Sequence, residues 1–267
     1  MSEWELEREI TAYYERGEER ERLTRNPRGR LEFVRMQDLL RRLLPGEGLD
    51  VLDVGGATGI HSAWLAADGH KPTLLDPVSD QVAVAAALPG VTALVGDARE
   101  LPFEDASFDA VLLMGPLYHL VEREERVRAI AEARRCARPG GLVAAVTINR
   151  VAGWNDHLLF RAGGDDKGIS AEASLRVLRE GDLRFFDQHM FTTAYLAHPW
   201  EVASEFADVG LDATQYSVQG FPGFIPQLEA LVDDPAGFAH LMEGLREIET
   251  EPSLLGAGNH LLTAAKV

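Results

Sequence analysis

The residues best placed to do chemistry are the run Asp53-Val54-Gly55-Gly56-Ala57-Thr58-Gly59 and two later carboxylates, Asp76 and Asp97. Glycines between an apolar run and a helical one let the backbone turn tightly and let a ligand come close. A dinucleotide fingerprint needs G-x-G-x-x-G, but Ala57 stands at the second glycine position and Ile60 at the third. No P-loop lysine follows, so a phosphate cradle is the weaker reading. Alone, such a turn is more often only a turn. Asp76, however, follows Asp53 by 23 residues, near the offset of about 20 at which a ribose-binding acid follows such a loop. Asp97 ends a third apolar run beside Gly96. Any one of these acids is explained as a turn or helix-cap residue. Three at successive strand ends line one crevice with acceptors, in the usual ligand position of an open α/β sheet.

The elements that must hold these residues are visible in the pattern. A charged, aromatic-studded helix over 3–25 is broken by Asn26-Pro27-Arg28-Gly29, and a second helix runs through Leu31, Val34, Leu39, Leu40 and Leu43 to Pro45-Gly46. Strands are expected at 51–54, 72–75, 91–95, 108–114 and 142–148, with helices at 60–67, 81–87 and 121–138. Short apolar strands alternating with helices make a parallel sheet covered on both faces, and the right-handed crossover rule makes it doubly wound. The rhythm fails over 149–200, which holds two helical stretches and seven of the chain's aromatic residues. It returns as a helix at 200–209, a strand at 214–218, a helical segment at 225–248 and a strand at 260–265.

A chain of 267 residues, 46% hydrophobic and 26% charged, has ordinary globular composition and can bury a sizeable core. The formal charge of −17 repels polyanions, which disfavours a general nucleic-acid binder. One cysteine, Cys136, makes no internal disulfide and supplies no zinc site. The start lacks the basic-then-apolar run of a signal peptide, and no apolar run approaches the roughly 18 residues of a membrane span. The expectation is a soluble, cytoplasmic protein with no membrane partner.

The segments VLDVGGATG, LLDP, GDARELPFEDASFDAVLLMGPLYHL and RPGGLV resemble class I S-adenosylmethionine-dependent methyltransferases, in the right order over about residues 50–148. The departure is Ala57, where the family often has glycine. The GPLYHL element and the aromatic-rich insertion look like bacterial small-molecule or peptide-tailoring methyltransferases. The resemblance implies a Rossmann-like methyltransferase sheet with a C-terminal β-hairpin. Its parts would be an N-terminal helical cap (1–45), a cofactor-binding core (46–148), a substrate lid (149–200) and a segment completing the core around an inserted helical stretch (201–267).

The same resemblance assigns roles. Gly55, Gly56 and Gly59 would let the loop pass the methionine moiety of S-adenosyl-L-methionine, and Asp53 would orient the loop and the amino group. Asp76 would accept both ribose hydroxyls, Asp97 the adenine N6, and Ala98 would offer its N–H to the ring. Met114 would sit near the sulfonium, with His119 close to cofactor or acceptor and the candidate base. Tyr14 and Arg30 would meet the cofactor from the N-terminal segment. Apart from the resemblance, the aromatic content of the insertion points to Trp154, Phe186, His189 and Tyr195 as contacts of the acceptor, a small molecule or short peptide, although the same aromatics also read as the lid's own core. The cofactor carries a sulfonium and an ammonium and no phosphate, which suits a carboxylate-furnished site. Three rivals remain: a nucleic-acid methyltransferase, against which stand the charge and Gly115-Pro116-Leu117-Tyr118; a nicotinamide oxidoreductase, disfavoured by Ala57 and Ile60; and a non-catalytic cofactor-binding sensor or assembly protein.

Overall fold

The computed structural model describes residues 12–13, 22–162, 170–184, 192–225 and 227–267. Five parallel strands lie at β1 (Asp50–Val54), β2 (Lys71–Asp76), β3 (Thr92–Val95), β4 (Phe108–Leu113) and β5 (Ala137–Ile148). Two more, β6 (Thr214–Ser217) and β7 (His260–Lys266), complete a sheet of order β3-β2-β1-β4-β5-β7-β6, in which β7 runs antiparallel to both neighbours. The order reverses between β1 and β4, so the loops after these strands diverge over a crevice at the carboxyl edge. Helices cover both faces. One apolar layer gathers Leu52, Val111 and Val143 with Ile130 and Phe206, the other Val51, Leu112 and Ala144 with Leu39, Leu40 and Leu65.

Most expected elements are found with ends moved by a residue or two, and three differences carry information. The Asn26–Gly29 stretch begins a helix as well as breaking one. Asn26 caps Pro27–Leu43 by accepting from Gly29 N–H at 2.8 Å, with Pro27 in the first turn, where its missing N–H costs nothing. Next, β5 starts at Ala137 and not at Leu142. The pairing jumps from Phe108↔Ala137 to Ala110↔Leu142, so Arg138-Pro139-Gly140-Gly141 bulges out within the strand. A Cβ on Gly141 would meet the Asp109 and Arg138 carbonyls at 2.7 and 2.8 Å, so glycine lets the bulge return. Finally, the helical segment at 225–248 is two helices, Leu228–Asp233 and Pro235–Ile248, divided where Asp234 caps the second.

The Pro27–Leu43 helix is fixed at the sheet's other end by ions. Arg35, fully buried, donates to the Val218 carbonyl and pairs with Asp38 and Glu249; Arg42 pairs with both carboxylates and Arg246 with Asp38. This ties the helix to the C-terminal hairpin.

Candidate functional site

The start of the turn after β1 is bound on both sides by backbone. Gly55 N–H donates to Leu75 O at 2.7 Å, and Met114 N–H donates to Val54 O at 2.9 Å. Gly55 has φ +72°, and a Cβ there would strike Pro116 Cδ at 2.7 Å, so the loops after β1 and β4 touch at a point only glycine fits. A Cβ on Gly56 would lie 2.6 Å from Leu74 and 2.8 Å from Asp53 Oδ2. Gly59 starts the Ile60–Ala67 helix. Ala57, at φ +52°, takes the left-handed conformation that glycine holds without strain.

Two carboxylates lie beneath this turn. Asp53 has no exposed surface; its Oδ2 accepts from Ser62 Oγ at 2.6 Å, while Oδ1 has no partner among the described residues. Burial pushes its pKa up to about 6, against the Ser62 hydrogen bond and with help from the Asp76 charge. Asp76 closes β2, almost fully buried. Its Oδ2 accepts from Ala57 N–H and its Oδ1 from Val78 N–H, both at 2.9 Å. Burial raises this pKa too, and the two backbone donors oppose it. Each Asp76 oxygen spends one lone pair on the backbone and keeps another for a ligand hydroxyl. Ser62, Asp53's partner, was missed in the sequence, where nothing marks one helical serine among others.

Asp97, two residues past β3, is in a different state. Arg99 donates to it from its backbone N–H, Nε and Nη2, and also pairs with Glu125, so an adenine contact at Asp97 competes with Arg99. The pair opens on a cavity of about 410 Å³ lined also by Glu100, Glu124, Glu125 and Arg128. Ala98 is buried beside it. Met114 is partly buried against the apolar layer of Leu39 and Leu112. His119, ending the short helix Pro116–His119, sets Nδ1 3.0 Å from Thr193 O and packs on the Tyr118 ring. A carbonyl can only accept, so Nδ1 carries the proton and Nε2 the lone pair. The ring keeps some accessible surface, yet burial lowers its pKa to about 4, so it is neutral near pH 7.

The remaining expected site residues are dispersed. Arg30 pairs with Asp233 at 2.8 Å between helices, with both side chains partly exposed. Tyr195 has its ring under Arg126 (4.0 Å), and its hydroxyl joins Arg150 and Glu201, which anchors its segment to an ion-pair network. Trp154 lies on the Ala152–Ala162 helix with its ring 5.8 Å from that of His157. Tyr14, Phe186 and His189 lie outside the described residues. Among the described residues no group of side chains could hold a metal ion, and no helix is long and apolar enough to cross a membrane.

A doubly wound sheet with buried acids under a glycine turn, and no phosphate loop, defines a binding domain for a nucleoside-containing, cationic cofactor. The fit to S-adenosylmethionine rests on two features: the unanswered Asp53 oxygen, and a glycine cradle that added Cβ atoms would fill. Residues 51–141 match the methyltransferase domain model. An uncharacterized methyltransferase of Mycobacterium tuberculosis is 39% identical over 136 residues, 50% of this chain and 54% of that protein; the chain thus spans about half the length of these curated relatives. A ubiquinone biosynthesis O-methyltransferase of Methylocella silvestris is 31% identical over 182 residues, 60% of this chain and 68% of that one. Among solved structures, an S-adenosylmethionine-dependent methyltransferase of Mesorhizobium loti superposes with TM-score 0.60 at 20% identity, covering 89% of this chain and all of that one. One from Methanosarcina mazei gives 0.57 at 18% identity, over 85% and 96%. These two show the fold. The chain belongs to the class I S-adenosylmethionine-dependent methyltransferases.

Proposed function

We propose that this protein transfers a methyl group from S-adenosylmethionine to a small molecule or short peptide in the cytoplasm, within a pocket closed by the 149–200 segment and the N-terminal helices. The observation that carries the reading is Asp76: a buried carboxylate at the end of β2, with each oxygen pinned by one backbone N–H and each retaining acceptor capacity. The bound cofactor supplies an electrophilic methyl group on a cationic sulfur. The chain's own residues hold and orient. Asp76 receives the two ribose hydroxyls, Asp53 Oδ1 answers the ammonium, and the Gly55–Pro116 contact closes the loops against water. His119 carries its lone pair on Nε2, and a conjugate acid near 4 makes it a weak base. Its work is to accept a hydrogen bond from the acceptor's O–H or N–H and aim the nucleophile.

Calorimetry tests the cofactor: S-adenosylhomocysteine binds and NAD does not, and the reverse order overturns the assignment. Incubation of candidate extracts with isotope-labelled S-adenosylmethionine, followed by mass analysis, tests turnover; binding without any labelled product would favour a sensor. His119→Ala should lower kcat about tenfold, the loss that follows from removing one aiming hydrogen bond of about 1.4 kcal/mol, and spare S-adenosylhomocysteine affinity.

A further inference from the structure

The turn that carries His119 is held on both sides of that residue. Just before it, Tyr118 O accepts from Tyr195 N–H at 2.7 Å. Just after it, Arg126 Nη1 donates to Leu120 O and Val121 O at 2.9 and 2.7 Å. Arg126 lies on the Arg123–Cys136 helix and is almost fully buried. Its Nε and Nη2 donate to Glu205 Oε1, on the Pro199–Asp208 helix, at 2.9 and 2.7 Å. The guanidinium carbon stands 4.0 Å from the centre of the Tyr195 ring. Two carbonyls, a carboxylate and an aromatic face are thus met by one planar group, which a lysine ammonium could not do.

The segment that bears Tyr195 also supplies the imidazole's partner. Thr193, two residues earlier and buried, sets its carbonyl 3.0 Å from His119 Nδ1. Arg126 therefore touches both sides of this contact: the carbonyls that follow His119, and the ring two residues beyond the Thr193 carbonyl. Which imidazole nitrogen carries the proton is set by the hydrogen bonds the ring makes, and a carbonyl can only accept. A relative shift of about 1 Å takes a 3.0 Å contact out of hydrogen-bond range and frees the ring to adopt its other tautomer.

We propose that Arg126 is a positioning residue for His119: by holding Leu120, Val121 and the Tyr195 ring together, it keeps the proton on Nδ1 and the lone pair on Nε2. The use made of Nε2, to receive the acceptor's O–H or N–H, rests on the methyltransferase reading of the site. The tautomer does not. The rival is that Arg126 and Glu205 only pin two helices together and leave the imidazole unaffected.

The test is two-bond proton–nitrogen NMR of the whole, nitrogen-15-labelled chain at neutral pH, which reads each imidazole's tautomer from its two nitrogen shifts; His119→Gln identifies the signals. The unaltered protein should hold the Nδ1–H form of His119 about tenfold or more over the Nε2–H form, the ratio one hydrogen bond sustains. Arg126 and Glu205 are removed together, as Arg126→Met with Glu205→Leu, so that no buried charge is stranded. That double variant should bring the ratio below about threefold. Tyr195→Leu, which spares the Arg126–Glu205 pair, should do the same and serves if the double variant misfolds. Tyr195→Phe, which keeps the ring, should retain the excess. An Nε2–H form in the unaltered protein, an excess that survives in either folded variant, or its loss in Tyr195→Phe overturns the proposal. Calorimetry with S-adenosylhomocysteine on the unaltered protein keeps the two readings apart: failure to bind removes the methyltransferase reading, while the tautomer ratio still decides the role of Arg126.

Discussion

Replacing Asp76 by alanine removes two things at once, and the structure separates them. The carboxylate accepts from Ala57 and Val78 N–H at 2.9 Å each, so Asp76→Ala leaves two backbone donors without their acceptor. An unmet buried donor costs about 1–3 kcal/mol, but removing a carboxylate whose burial disfavours its charge returns part of that. The ligand-free protein should lose about 1–3 kcal/mol, a fall of about 2–10 °C in Tm at this chain length. Ligand affinity falls separately. Each charge-assisted bond to a ribose hydroxyl contributes about 1.5–3 kcal/mol. With about 1.4 kcal/mol per decade, losing one weakens binding about tenfold and losing both about a hundredfold. Calorimetry with S-adenosylhomocysteine reads the total. Competition by adenosine against 2′,3′-dideoxyadenosine isolates the hydroxyls: the unaltered protein should prefer adenosine, and the variant should not distinguish them. Unchanged affinity, or a preference for adenosine that persists in the variant, would refute the ribose role and leave Asp76 as a brace for the turn.

Asp53 gives a pH signature. Its folded pKa of about 6 lies above the ordinary 3.8, so the folded state binds more protons between those values and loses stability as pH rises through them. Asp53→Asn removes that dependence: its Tm relative to the parent should climb from pH 4 to pH 7, and a flat difference would mean the carboxylate is not desolvated. Arg126→Ala strands Glu205, whose Oε1 it holds at 2.7 Å with both side chains nearly inaccessible. Breaking such a pair costs about 3–5 kcal/mol, so a loss below 1 kcal/mol in urea titration would show that water reaches Glu205. Ala57→Gly relieves a left-handed alanine, worth about 1–2 kcal/mol, against about 0.4–1 kcal/mol of added chain entropy. A gain of a few tenths to about 1 kcal/mol is expected, and a net loss would show that the methyl group packs usefully.

The glycine turn and the carboxylates beneath it were legible because their determinants are local. Asp53, the glycines and the Ile60–Ala67 helix lie within fifteen residues of one another, and Asp76 sits where one crossover must return. The contacts that hold the segment after β5 were not. Arg28 meets Asp156 across 128 positions and Asn149 meets Gly258 across 109, separations that no spacing rule reports. The Arg126 guanidinium over the Tyr195 ring was hidden for a related reason: an aromatic in an insertion carries no sign in the sequence of the arginine that covers it. The RPGG element misled, because Pro and Gly punctuate bulges as well as turns, and only the partner strand tells which.

The position of β7 bears on how the protein is made. It is synthesised after β6, yet it lies between β6 and β5, pairing with β5 from Leu142 to Ile148. While the ribosome is still adding the intervening helices, the outer edge of β5 has nothing to hydrogen-bond, and Val143, Ala144, Ala145 and Val146 are the residues it presents. An open, uncharged strand edge is a template for any neighbouring nascent chain. A polypeptide stopped anywhere between β5 and β7 would therefore keep an adhesive rim and aggregate, although all five parallel strands had already been made.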